Sequence, residues 1–165
     1  FDGGDNMKMN EEMLNTLRSV GSGGVVVHLT TCSAEGVTNV VGERFVSAHG
    51  DEHIVIADMF AQKTKVNLNE NPVGIITVEH TPKSRYWAFR GPCTIIMWGE
   101  DVDYDFHGVK AGEVLREWGD WAAKEPPSEV PPDIRPPALC QRGVITLKVE
   151  EAYSWLPEES GKRIL

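Results

Sequence analysis

A series of short β-branched runs, evenly spaced and separated by turn residues, constrains the fold of this chain more than any other feature. Val25 to Thr31 is the first run, Ala34-Glu35-Gly36 reads as a tight turn, and Val37 to Val46 continues as a second strand, which predicts a hairpin. A further turn at His49-Gly50-Asp51-Glu52 leads into His53 to Ala57 and extends the hairpin to a three-stranded meander. Val73 to Glu79 and Trp87 to Trp98 give two more strands, joined by the polar loop Thr81-Pro82-Lys83-Ser84-Arg85, and Gly143 to Tyr153 gives the last. Six strands with few helices predict a mainly β protein, an antiparallel barrel rather than a doubly wound sheet.

Three segments carry helical spacing. Asn10 is a candidate N-cap for a helix over 9–20, with Met13, Leu14, Leu17 and Val20 on one face and Gly21 and Gly24 to stop it. Lys63 to Asn71 carries Val66 and Leu68 among polar residues and ends at Pro72, which cannot continue a helix. Val109, Val114, Leu115, Trp118, Trp121 and Ala122 predict a longer helix over 108–124. Six prolines between 126 and 137 then forbid regular helix, so 125–142 reads as a stiff extended strap, and 154–165 as a polar tail. No internal repeat is visible, and 165 residues with 41% hydrophobic content fit one domain over 1–165, with its barrel core at 25–98.

A net charge of −9 argues against nucleic-acid binding, which draws its affinity from clustered Lys and Arg. No run of about 18 apolar residues is present to span a bilayer, and the polar opening Phe1-Asp2-Gly3-Gly4-Asp5 is unlike a secretory leader, so a cytoplasmic location away from membranes is expected. Cys32, Cys93 and Cys140 form no CxxC pair and read as reduced packing residues. Of the five histidines, His49 and His53 are four apart but straddle a turn, so no metal site is expected.

The stretch Ala57-Asp58-Met59-Phe60-Ala61-Gln62-Lys63-Thr64-Lys65-Val66-Asn67-Leu68-Asn69-Glu70-Asn71-Pro72 resembles a signature of FMN-binding split barrels of the pyridoxamine-phosphate-oxidase-like type: a strand, a short loop, Lys-Thr, then a helix with Asn-Leu before Asn-Pro. Asn39-Val40-Val41-Gly42 stands where that family's second strand passes the flavin. Phe89-Arg90-Gly91-Pro92-Cys93 resembles its later strand. The likeness covers roughly residues 23 to 98. It implies a six-stranded antiparallel split β-barrel of Greek-key type with a few flanking helices, FMN as cofactor, and a homodimer. An arginine- and serine-rich phosphate motif like that of the vitamin-B6 oxidases is missing, which favours the FMN-binding and flavin-reductase-like branches.

The residue types suit a flavin. A phosphate monoester needs charge-assisted donors and free backbone N–H groups, and both occur where a loop enters a helix. Gln62, Lys63 and Thr64 open such a helix: Lys63 offers a charge, Thr64 a hydroxyl, and the first-turn amides the rest. Asn39, Val41, Gly42 and Glu43 on one strand, with Ala57, Asp58 and Met59 at the end of another, offer backbone groups for the edge of the ring. Each also has a plainer reading. A Lys-Thr at a helix start is usually a solvated first turn, Gly42 equally marks a β-bulge, and Asp58 equally sits in an ordinary turn. Arg44 reaches either the phosphate or a surface carboxylate. Trp118 and Trp121, with Tyr153 and Trp155, read as core or dimer interface rather than pocket lining, and the strap reads either as a lid or as packing along the barrel.

The expected activity is that of an FMN-dependent oxidoreductase moving electrons from NAD(P)H to a small organic acceptor; the residues name no catalytic acid or base. The alternatives are a non-enzymatic FMN-binding electron carrier, a haem-binding split barrel, for which a histidine must reach the iron, and a deazaflavin binder, for which the chain is too acidic.

Overall fold

The computed structural model describes residues 8–20, 25–43, 46–58, 62–96, 105–106, 109–110, 143–156 and 163–164. In chain order the elements among these residues are α1 (Glu11–Arg18), β1 (Val25–Cys32), β2 (Thr38–Glu43), β3 (Val46–His49), β4 (His53–Ala57), α2 (Gln62–Glu70), β5 (Val73–His80), β6 (Arg85–Ile96), β7 (Asp105–Phe106), β8 (Val109–Lys110), β9 (Val144–Lys148) and β10 (Glu151–Ser154), with a 3-10 turn at Thr81–Lys83.

α1 forms where expected. The Asn10 side chain accepts from the Met13 N–H at 3.0 Å, Glu11 and Glu12 sit at the positive end of the helix and Arg18 at the negative end. Met13 and Leu17 are buried on its inner face.

The main sheet is antiparallel and has eight strands, not six, in the order β2-β1-β5-β6-β9-β4-β3, with β10 also on β6. The two extra strands come from two expected strands that break. The run expected over Val37–Val46 divides into β2, which pairs with β1, and β3, which pairs with β4. The expected meander is therefore two hairpins at opposite ends of the sheet, and β1 takes β5 as its second neighbour. The run expected over 143–153 divides into β9 and β10, which pair with the two halves of β6.

The second break is a β-bulge. Leu147 faces Cys93 and Glu151 faces Arg90, so Lys148, Val149 and Glu150 oppose only Gly91 and Pro92. Pro92 has no N–H to give the ladder, and Gly91 leaves room where a Cβ would fall on the Lys148 carbonyl. The surplus donors are satisfied elsewhere: Val149 N–H bonds the Glu52 carbonyl at 2.8 Å, and Glu150 N–H the Arg90 carbonyl at 3.0 Å.

Hydrogen bonding does not close the barrel. Its two end strands, β2 and β3, are nonetheless consecutive in the chain, and Glu43 to Val46 is three Cα steps, at most about 11 Å. The sheet must curl until its ends nearly meet, which makes it a split barrel. Phe89, Leu29, Ile54, Ile56, Ile76 and Leu147 line the interior, and each is fully buried. Burying a side chain of this size contributes about 1.5 to 3 kcal/mol.

Val109 and Lys110 are extended and pair with Phe106 and Asp105, so the helix expected over 108–124 does not begin at its expected start. Trp118, Trp121 and the strap at 125–142 lie outside the described residues. In the expected tail, the Ile164 N–H bonds the Ala152 carbonyl at 2.8 Å and the side chain packs on the core. Among the described residues no helix is long and apolar enough to cross a membrane, and no side-chain group is arranged to hold a metal ion.

Candidate functional site

Val27, Leu29 and Thr31 of β1 are buried, and the register sets Glu43, Val41 and Asn39 of β2 directly opposite them. Residues opposite one another share a face of the sheet, so these three β2 side chains look inward while Val40 and Gly42 look outward. Helix α2 lies against this hairpin. It buries Thr64, Asn67 and Leu68, a stripe at helical spacing, and leaves Gln62 and Lys63 exposed.

Polar ties hold α2 to the hairpin along its length. The Asn39 amide donates to the Thr64 hydroxyl at 3.1 Å, and Asn67 donates to the Thr31 hydroxyl at 3.2 Å. Nearer the hairpin tip, Asn71 donates to the Cys32 carbonyl at 3.3 Å, and the Ala34 N–H donates to Glu70 at 3.2 Å. The side-chain Oδ1 of Asn67 is buried with no hydrogen-bond partner among the described residues.

The other side of the first turn of α2 is tied to the end of β4. Asp58 is wholly buried, and Lys65 donates to its carboxylate at 2.6 Å. The Asp58 N–H bonds the Gly143 carbonyl at 3.0 Å, just before β9. Removing Lys65 would take the cation from a buried carboxylate, and breaking a buried pair in this way costs about 3 to 5 kcal/mol. The charge of Asp58 also reaches Glu43. Burial first, and then Asp58, push the Glu43 carboxyl up to about 7. Because β2 and β4 are not sheet neighbours, this coupling spans the split.

The sequence-derived candidates therefore divide. Asn39, Asp58 and Thr64 meet the first turn of α2, and Glu43, on the inner face of β2, feels the charge of Asp58. Thr64 is 1% exposed and locks β2 to α2 instead of offering its hydroxyl to solvent. Gln62 and Lys63 stand open on the same turn, Val41 is half-buried on the inner face, and Gly42 lies outward beside His28. Ala57 ends β4 opposite Val144, and Met59 lies outside the described residues. Sequence reasoning missed Lys65: a lysine in the first turn of a helix reads as solvated, and only a buried carboxylate seven residues earlier marks it out.

A phosphate fits this turn in part. Lys63 and the first-turn N–H groups are suited to an anion, whereas the Lys65 charge is spent on Asp58.

A curled, open antiparallel sheet with a helix clamped across its first hairpin is the split-barrel fold of the pyridoxamine 5'-phosphate oxidase-like proteins. HupZ of Group A Streptococcus matches it with a TM-score of 0.64 at 14% identity, over 92% of this chain and 97% of that one. A pyridoxamine 5'-phosphate oxidase-related, FMN-binding protein of Nostoc punctiforme matches with a TM-score of 0.55 at 14% identity, over 90% and 86%. An FMN-binding protein of Syntrophomonas wolfei matches at 0.53 and 17%, over 87% and 86%. At these identities the likeness is one of fold. In sequence, an uncharacterized protein of Methanocaldococcus jannaschii is 27% identical over 154 residues, which span 90% of this chain and 81% of that protein. No family model matches the chain.

Proposed function

We propose that this chain is a flavoprotein that binds FMN at the start of α2 and acts as an oxidoreductase. In this reading electrons pass from NAD(P)H to a small organic acceptor. The observation that carries the proposal is the clamped first turn of α2, with Lys63 exposed on it, in a fold shared with proteins named for FMN binding. Lys63 and the first-turn amides hold the phosphate. The Asn39–Thr64 and Asp58–Lys65 ties keep that turn fixed between β2 and β4, so the amides are oriented before the ligand arrives. The inner edge of β2 from Asn39 to Glu43, with the end of β4 at Ala57 and Asp58, forms the slot for the ring. Bound FMN supplies the redox chemistry.

The same reading makes the molecule a homodimer. Val40, Thr30 and Ile75 lie side by side on the outer face of β2, β1 and β5, with Val26 further along β1. Val40 is 61% and Val26 43% exposed, and this is a surface a second copy would cover.

The absorption spectrum of the purified protein, before and after addition of FMN, tests the site. Oxidised-flavin bands should travel with the protein, and Lys63→Ala should weaken FMN binding about ten- to a hundredfold, the worth of one charge-assisted contact. Binding that is unaffected by Lys63→Ala, or no binding at all, would sink the proposal. Bleaching of the bound flavin by NAD(P)H, with reoxidation by an added acceptor, separates the oxidoreductase from a passive electron carrier.

A further inference from the structure

A cleft of about 700 Å³ lies between α1 and the turn that joins β5 to β6, a size that suits a small-molecule ligand. Glu11 and Asn15 line it from α1, and His80 and Lys83 line it from the turn. It is separate from the first turn of α2. α2 is tied to β1 at Thr31, in the Thr31–Gly74 row, whereas the Val25–His80 row is six residues further along the same two strands, about 20 Å away.

Both walls are held in place. The Arg85 guanidinium, at the start of β6, bonds Glu12 at 3.1 Å and so ties α1 to the strand that leaves the turn. The turn is closed by the Ser84 N–H on the Thr81 carbonyl at 3.1 Å. The groups that line the cleft are nonetheless unmatched. Glu11 and Lys83 carry opposite charges, and neither has an ion-pair partner among the described residues; the Asn15 side chain has no hydrogen bond among them either. His80 is half-buried, and its Nδ1 is buried with no hydrogen-bond partner, an uncommon state for a polar atom in a folded chain. An orphaned N–H is the rarer defect, which puts the proton of the neutral ring on Nε2. The wall on α1 therefore accepts and is negative, and the wall on the turn donates and is positive.

We propose that this cleft binds a small amino-carboxylate zwitterion, with an ammonium at one end and a carboxylate at the other. The ammonium meets Glu11 and the Asn15 side-chain oxygen, and the carboxylate meets Lys83 and the His80 Nε2–H. The charges of Glu11 and Lys83 sum to zero, as do those of the ligand. A ligand of one sign would satisfy one wall and be repelled by the other, and an apolar ligand would leave both unmatched. The tie between Arg85 and Glu12 sets the walls before the ligand arrives.

The experiment is a calorimetric titration of the full chain with glycine, γ-aminobutyrate and ε-aminocaproate, each beside its N-acetyl and carboxamide derivatives. At least one parent should bind, and each of its derivatives, having lost one charge, should bind about tenfold or more weakly, the worth of a charge-assisted contact. Binding should also shift the imidazole nitrogen resonances of His80, which are identified by their absence in His80→Gln. Lys83→Glu makes both walls negative, so this variant should reject the zwitterion and take the diamine of matching length; Lys83 is exposed, and the exchange leaves the fold intact. Derivatives that bind as well as their parent, unchanged affinity in Lys83→Glu, or no binding by any of the series would each overturn the inference. FMN binding in the same preparation bears only on the turn of α2.

Discussion

Glu43 looks inward from β2, and burial first and the charge of Asp58 second move its carboxyl from the ordinary 4.5 to about 7. The folded chain therefore holds this proton more tightly than the unfolded chain does. Below about 4.5 both states are protonated and the group contributes nothing. As pH rises from about 4.5 to about 7 the fold loses stability, by up to about 3 kcal/mol, and above 7 it stays at that lower level. Thermal unfolding of Glu43→Gln should then show a higher midpoint than wild type at pH 8 and no difference near pH 4. A gain at both pH values would mean that the glutamine stabilises through packing rather than charge. The neighbouring Lys65–Asp58 pair shows why residue-scale reading of the sequence stopped short here. Thr64 and Asp58 stand out as polar groups in suspect places, but whether a hydroxyl faces solvent or a partner depends on Asn39, 25 residues away.

At the scale of elements, the β-branched runs are legible because side chains alternate in each strand independently of its neighbours. The breaks are not legible, because they are set by the partner strand. Val144 to Val149 is apolar at four of its six positions, and nothing in it announces a bulge; the cause lies in Gly91 and Pro92, more than fifty positions earlier. The split of the second strand is hidden in the same way, since β2 and β3 follow one another in sequence and take different partners. Gly91→Ala tests the bulge. A methyl there meets the backbone of Lys148, which cannot move without disturbing both β4 and β6, so the variant should lose about 3 kcal/mol or more in urea unfolding. A loss within about 0.5 kcal/mol, the range of an ordinary surface change, would show that the two strands separate easily at this point.

For the whole molecule, the fold class was accessible from spacing and from the Lys63-Thr64 stretch, whereas assembly was not, because the outer sheet face draws its apolar character from three strands brought together only by folding. Val40 and Ile75 are 35 positions apart in sequence and reach one row through Thr30. Val40→Lys places a charge at the β2 end of that row. If a second copy packs there, sedimentation equilibrium should show the wild-type chain as a dimer and the variant as a monomer with unchanged far-ultraviolet circular dichroism. Equal masses for the two would move the contact to another face.

Strand order also fixes the sequence of events during synthesis. Among the described residues β9 lies between β4 and β6 and is the only strand that bonds the β3–β4 hairpin to the rest of the sheet, yet it is made after both of these neighbours. A growing chain that has not reached residue 144 therefore carries two half-sheets with bare apolar edges facing each other, the arrangement most open to pairing with a foreign strand.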